Sequence, residues 1–146
     1  LFAIDTACRR GEIRLLEWRD VDFERQVINV RKETTKSTRA RRIPMTTRLI
    51  NILENHKPEN AKPTAKVFTQ RAFKKAYAKV LEMAGIEGFT FHDLRHVGTT
   101  RFIEKDFNVG LAMKIVGHEQ MSTFQRYLNP TPESLVEIMR KSEAAD

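Results

Sequence analysis

Residues suited to phosphate and proton chemistry cluster in the second half of the sequence. His92 and Arg95 stand three residues apart, and His118 and Tyr127 follow downstream. On a helix, His92 and Arg95 would project from one face near the N-terminal end, where the helix dipole favours an anion. Arg95 offers a planar, permanently charged fork for phosphate oxygens, and His92 titrates near neutral pH. Convergence of the four on a single phosphate would make the chain a DNA strand-cutting enzyme.

A metal site is the alternative for the same stretch. His92 and His96 have the spacing of two zinc ligands on a helix, and His118 is a third candidate. The zinc protease pattern requires a glutamate directly after the first histidine, and Asp93 occupies that place. A lone His-x-x-Arg spacing also arises by chance in helical proteins. We therefore expect no metal, and the choice between these functions depends on the remaining residues.

The charge of the chain predicts a polyanionic partner. Lys and Arg number 26 against 19 acidic residues, which gives a net charge of +7 and a pI near 9.8. Residues 31–48 hold seven basic residues and one acid. Nucleic acid fits this concentration better than an acidic membrane surface, and a solvated charged face is the alternative. We expect phosphate contacts from Arg39, Arg41 and Arg42.

The 146 residues are sufficient for one globular domain. The single cysteine, Cys8, excludes an internal disulfide and is expected to be a small buried residue. The sequence has neither an apolar run of about 18 residues nor a signal-peptide pattern, so we expect a soluble, cytoplasmic protein without a membrane partner. Its apolar start at Leu1, without a methionine, predicts a piece of a longer protein.

Hydrophobic patterns predict an α+β fold that is mainly α-helical. Residues 21–23, 27–30 and 41–45 are predicted to form three short antiparallel strands, with an exposed basic loop over 32–40. Helices are predicted over 1–6, 11–18, 46–55, 70–84, from 91 onward, over 109–116 and over 133–141.

Two helices have patterns that predict which side chains face the core. The helix over 70–84 should bury a stripe formed by Phe73, Ala76, Tyr77, Val80 and Met83 or Ala84. Thr90 and Asp93 predict a capping box at the start of the following helix. That helix should turn inward Leu94, Val97 and Phe102 or Ile103.

Several short motifs in one order resemble the signature of the tyrosine recombinases, which include phage integrases and Xer-type recombinases. They are Thr6-Ala7-Cys8-Arg9-Arg10-Gly11-Glu12, His92-Asp93-Leu94-Arg95-His96, Gly117-His118 and Tyr127. The resemblance covers residues 6–127 and implies the tyrosine-recombinase catalytic fold with a small three-stranded antiparallel sheet. It also implies site-specific recombination of double-stranded DNA by strand cleavage and rejoining. A DNA-binding module of the same fold and a type IB topoisomerase-like enzyme are the alternatives.

The resemblance implies a role for each matching residue. Arg9 and Arg95 would clamp the scissile phosphate, and His118 would hydrogen-bond it. Glu12 would orient the arginines, or be an ordinary acid in the first turn of a helix. His96 would support the site from behind. The family usually has glycine in place of Ala7, at the bend that presents the first arginine.

The covalent step would belong to three further positions. Tyr127 resembles the nucleophile, which forms a 3′-phosphotyrosyl bond. His92 would assist proton transfer at the tyrosine, and Lys36 would protonate the departing 5′ oxygen. Neither a metal nor another cofactor is then required.

The resemblance also predicts domain organisation and assembly. Residues 1–146 would be a single catalytic domain, a fragment without the N-terminal core-binding domain and the first catalytic-domain helix. Residues 131–146 would dock on a neighbouring protomer or on their own domain. We expect a homotetramer on DNA with weak self-association in isolation, and a bacterial or phage origin.

Overall fold

A computed structural model of the chain describes residues 1–35, 39–69, 73–104, 108–117 and 121–125, together with Val136 and Arg140. The helices in these ranges are α1 (Phe2–Thr6), α2 (Arg10–Leu15), α3 (Thr47–His56), α4 (Phe73–Met83), α5 (Phe91–Glu104), α6 (Val109–Val116) and α7 (Met121–Gln125). The strands are β1 (Val21–Asp22), β2 (Val27–Val30) and β3 (Arg41–Pro44). The predicted α+β fold with a small antiparallel sheet is confirmed. None of the helices within the described ranges has the length and apolarity to cross a membrane.

The sheet has the order β1-β2-β3, and both strand pairs are antiparallel. Val21 lies opposite Ile28, which in turn lies opposite Ile43. All three are buried, because alternate side chains of a strand point to one face and this face lies on the core. Between β2 and β3, Lys32–Thr34 form a short 3₁₀ turn in the segment predicted to be an open loop. Residues 36–38 lie outside the described ranges.

Helix α3 covers the core face of the sheet. The Thr46 side chain accepts a hydrogen bond from the Leu49 backbone N–H at 3.2 Å, which confirms the predicted cap. Leu49 and Leu53 are fully buried and belong to one cluster with Trp18 and the sheet residues. This cluster fixes the sheet against the N-terminal helices.

Helix α5 packs closely on α1. A Cβ added to Gly98 would lie 2.3 Å from the backbone oxygen of Ile4, so only glycine allows this approach. The predicted inward residues Leu94, Val97, Phe102 and Ile103 are half-buried, and Phe102 packs against the core. The fully buried residues of α5 are Arg95, Gly98 and Thr99, which the pattern of apolar residues did not predict. Arg95 is buried because its guanidinium has backbone partners inside the protein.

The predicted buried stripe of α4 is wrong for part of the helix. Val80 and Met83 are 60% and 79% exposed. Phe73 and Tyr77 are half-buried instead, since their rings pack on Phe91 at centroid distances of 4.7 and 5.5 Å. The aromatic cluster of Phe73, Tyr77 and Phe91 thus covers one edge of the α4 stripe, whereas the other edge, with Val80 and Met83, is exposed to solvent.

Candidate active site

The connection between α1 and α2 presents the first arginine of the motif. Ala7 adopts the left-handed conformation, with φ 49° and ψ 26°, and is fully buried. The Thr6 hydroxyl donates to the Phe2 carbonyl and accepts a hydrogen bond from the Cys8 N–H at 3.2 Å. The left-handed region costs a residue with a Cβ about 1–2 kcal/mol. Here alanine makes the bend at which we expected glycine, and Arg9 follows it as the N-cap of α2.

The side chain of Arg9 reaches toward the end of α6. Its Nη2 donates to the Gly117 carbonyl at 3.3 Å, and its Nη1 lies 3.4 Å from Glu12 Oε1. The neighbouring Arg10 is exposed, and no such long-range bond is recorded for it in the described part of the chain. The structure thus places the side chain of Arg9, rather than that of Arg10, beside the other motif residues.

Arg95 also reaches the C-terminal end of α6, and only 3% of the residue is exposed. Its Nη1 donates to the Ala7 carbonyl and its Nη2 to the Val116 carbonyl at 3.0 Å. Burial, and then repulsion from Arg9, lower the pKa of Arg95 to about 10. The guanidinium remains charged at neutral pH. Two mutually repelling cations held in place by the backbone form a site that an anion would stabilise.

Arg41 is the third arginine at the end of α6. Its side chain is 8% exposed, and its two terminal nitrogens donate to the two Glu12 oxygens, each at 2.8 Å. Its Nε donates to the Ile115 carbonyl at 2.8 Å. The guanidinium is therefore paired with protein groups, and the phosphate contact expected of Arg41 stays a prediction.

The C-terminal end of α6 organises all three arginines. Three consecutive carbonyls accept from three guanidinium groups: Ile115 from Arg41, Val116 from Arg95 and Gly117 from Arg9. The last carbonyls of a helix have no partner within it and carry partial negative charge, so cations are stabilised there. Gly117 ends the helix in the left-handed conformation, with φ 76°, as the predicted helix over 109–116 requires.

Glu12 joins the arginines to the segment between β2 and β3. Its carboxylate accepts from the Arg9 backbone N–H at 2.8 Å, from Arg41 and from the Thr35 hydroxyl at 2.7 Å. Burial alone would raise the pKa of Glu12, but the hydrogen bonds from Arg41 and Thr35 outweigh it and lower the pKa to about 2. The carboxylate is ionised at neutral pH and balances one of the buried cations.

His92 lies in the first turn of α5, on the exposed side of the arginine group. Half of the predicted capping box is present. The Thr90 backbone N–H donates to the Asp93 carboxylate at 2.6 Å, but the Thr90 hydroxyl donates to the same carboxylate, and the Asp93 N–H donates to the Thr90 carbonyl. The His92 ring packs edge-on against His96, with ring centroids 4.9 Å apart. Burial, followed by the charges of His96 and Arg95, lowers the pKa of His92. A lowered pKa favours the uncharged ring, which can accept a proton.

Three positions of the predicted site lie outside the described residues: Lys36, His118 and Tyr127. Of the described residues next to them, Thr35 contacts Glu12 and Gly117 contacts Arg9. The predicted docking segment 131–146 is also undescribed, apart from Val136 and Arg140. Within the described ranges, no group of three His, Cys, Asp or Glu side chains is arranged to hold a metal.

The basic residues within 31–48 have different surroundings: some pair with acidic residues and others are exposed. Arg31 pairs with Asp20 at 2.8 Å and with Glu17 at 3.2 Å, and Arg48 pairs with Asp5. The sequence did not identify these ion pairs, since the partners are remote along the chain. Arg39 and Arg42, the two other predicted phosphate contacts, are exposed.

Comparison with known proteins decides the family. The model of the phage integrase family matches residues 1–134. The chain belongs to the phage integrase family. Among its relatives, a shufflon-specific DNA recombinase of Escherichia coli is 34% identical over 126 residues, which are 86% of this chain and 32% of the relative. The integrase of Salmonella phage P22 is 27% identical over 159 residues, covering 98% of this chain and 41% of that protein. This family member thus spans less than half of either relative.

Solved structures share the fold of this integrase-family chain. The crystal structure of XerA recombinase aligns with a TM-score of 0.73 at 22% identity, over 95% of this chain and 54% of the other. The catalytic domain of bacteriophage HP1 integrase gives 0.71 at 20% identity, over 95% and 77%. The Tn1549 transposon integrase in complex with a circular intermediate DNA gives 0.77 at 19% identity, over 96% and 56%. The tyrosine-recombinase catalytic fold predicted from the motifs is confirmed.

Proposed function

We propose that this chain is the catalytic domain of a site-specific recombinase that cuts and rejoins double-stranded DNA through Tyr127. The observation that carries the proposal is the convergence of Arg9 and Arg95 on the end of α6, close enough to His92 for their charges to help lower its pKa. Membership of the phage integrase family supports it, as does the DNA-bound state of the related Tn1549 integrase.

In the proposed cleavage step, the Tyr127 oxygen attacks the scissile phosphorus and the bond from phosphorus to the 5′ oxygen breaks. The phenol proton passes to His92, because a phenol with a pKa of about 10 is a poor nucleophile unless a base accepts its proton. Lys36 gives a proton to the departing 5′ oxygen. The products are a 3′-phosphotyrosyl bond and a 5′ hydroxyl. Attack by another 5′ hydroxyl reverses the step and joins two strands without a metal or nucleotide cofactor.

The remaining predicted residues stabilise charge in this scheme. Arg9, Arg95 and His118 hold the phosphate oxygens, whose negative charge increases in the transition state. Glu12 and His96 support them from behind. Arg39 and Arg42 contact phosphates along the duplex, which gives affinity without selecting sequence.

We also infer an organisation for the whole protein. Residues 1–146 act as one catalytic domain, and a core-binding domain and a further helix are supplied by sequence before Leu1. Residues 131–146 dock on a neighbouring protomer. Four copies assemble on DNA in a bacterial cytoplasm, and isolated copies associate weakly.

A suicide substrate tests the cleavage step. The chain joined to an N-terminal core-binding domain is incubated with nicked DNA, and covalent adducts are resolved on a denaturing gel. We expect an adduct from the wild type and none from Tyr127→Phe. Tyr77→Phe is the matched control, since the Tyr77 hydroxyl donates to the Thr90 carbonyl at 3.1 Å and belongs to the aromatic cluster. An equal adduct from Tyr127→Phe refutes the proposal, and DNA binding without any adduct favours a non-catalytic DNA-binding module.

A further inference from the structure

Arg41 is an arginine of the site, with its side chain only 8% exposed, that the mechanism above does not use. Its guanidinium joins three separate parts of the fold. It binds the Glu12 carboxylate in α2 through two hydrogen bonds, donates to the Ile115 carbonyl in α6, and lies against Gly117. A Cβ on Gly117 would stand 3.1 Å from the Arg41 guanidinium, so the turn after α6 is in direct contact with it.

The partners of Arg41 are also the partners of the proposed phosphate ligands. Glu12 accepts from the Arg9 backbone N–H, and the end of α6 accepts from Arg9 and Arg95. A shift of either partner would therefore displace both phosphate ligands together. Only 8% of the Arg41 side chain is exposed.

We propose that Arg41 is a positioning residue, which locks the end of α6 to Glu12 and thereby sets where Arg9 and Arg95 meet the scissile phosphate. This inference rests on the proposed function. It predicts that Arg41 governs the rate of cleavage at saturating DNA and contributes nothing to the electrostatic affinity for DNA. A phosphate contact would have the opposite signature.

Arginine is required for this role because of its planar fork. Three of its nitrogens make bonds of 2.8 Å to two partners that lie in different directions. An ammonium is a compact point charge on a flexible stem and cannot hold both partners in the same geometry. Arg41→Lys therefore keeps the charge next to Glu12 and avoids an unpaired buried carboxylate, but it no longer fixes the end of α6 relative to Glu12.

The decisive comparison uses Arg41→Lys and Arg42→Gln in the chain joined to a core-binding domain. Arg42 is the adjacent residue of β3 and is exposed. For Arg41→Lys we expect the single-turnover cleavage rate at saturating DNA to fall about tenfold to a hundredfold, because displacements near 1 Å have effects of that size. DNA affinity and its salt dependence should stay within about twofold of the wild type.

For Arg42→Gln we expect weaker binding and a salt slope reduced by about one. The two variants thus change different quantities. Because Arg41→Lys keeps the positive charge, the saturated cleavage rate decides the question. The proposal is overturned if Arg41→Lys retains that rate, whatever its effect on binding.

A second measurement does not depend on catalysis. The Gly117 amide donates to the Met113 carbonyl at 2.8 Å at the end of α6. Its hydrogen-exchange rate therefore measures how firmly Arg41 holds the end of this helix. We expect Arg41→Lys to accelerate that exchange about tenfold and to leave the amides of β2 unchanged. Unchanged exchange at Gly117 overturns the proposal even if the protein cleaves DNA. If the wild type forms no adduct, the proposed function fails, while this exchange still decides whether Arg41 holds α6.

Discussion

Replacing Glu12 by glutamine removes the only carboxylate that contacts both Arg9 and Arg41 among the described residues. The Glu12→Gln variant should be less stable than the wild type at neutral pH. Arg41 remains buried without a counter-charge, and breaking a buried ion pair in this way costs about 3–5 kcal/mol.

The difference between the two proteins should depend on pH with a defined sign. The pKa of Glu12 is about 2 in the folded chain against an ordinary value of 4.5. Its ionised form therefore adds stability that is complete above pH 4.5 and is lost as the pH falls through about 2. At about 1.36 kcal/mol per pH unit, the full contribution is about 3 kcal/mol, of which about 1.4 kcal/mol is already lost at pH 3.5.

Urea unfolding at pH 7, 5 and 3.5 measures this dependence. The stability gap between wild type and Glu12→Gln should narrow by about 1.4 kcal/mol from pH 7 to pH 3.5. A hydrogen bond from Lys66 also lowers the pKa of Glu17 to about 2, but both proteins carry Glu17 and its effect cancels. The exposed Glu24→Gln is the matched control and should show a gap near zero at each pH. A gap for Glu12→Gln that stays constant across this range refutes the assignment of a depressed pKa.

Three further predictions concern packing, charge and the thiol. Gly98→Ala should destabilise the chain by about 1–3 kcal/mol, because its Cβ would meet the Ile4 backbone. Gly11→Ala, where a Cβ meets nothing within 4 Å, should stabilise α2 by about 0.5–1 kcal/mol, and urea unfolding measures both variants. Replacing Arg39 and Arg42 together by glutamine should lower the salt slope of DNA binding by about two for every DNA sequence. An unchanged slope would show that these two residues are solvated and contact no phosphate. Burial raises the pKa of the Cys8 thiol to about 11, so its alkylation at pH 8 should be far slower in the folded than in the urea-unfolded chain.

Local features of the fold were predictable because their causes lie within a few residues. Alternating apolar residues gave β2 at residues 27–30, Thr46 capped α3, and Gly117 ended α6. The face of α4 was not predictable in this way. Both edges of its stripe are apolar, and only the ring of Phe91, from the next helix, decides which edge is covered.

The candidate site likewise combines local features, which the sequence predicts, with contacts between distant residues, which it does not. The sequence alone determined the family, the small sheet, and the types and spacing of the motif residues, including Arg9 and Arg95. Their spacing identified them because each motif is short and local. Only the tertiary structure decided that Arg41, one of the three arginines expected to contact phosphates, has its guanidinium turned inward and paired with Glu12. Its partners, Glu12 and the Ile115 carbonyl, lie 29 and 74 residues away along the chain, and only folding brings a buried carboxylate and a helix end to the same guanidinium.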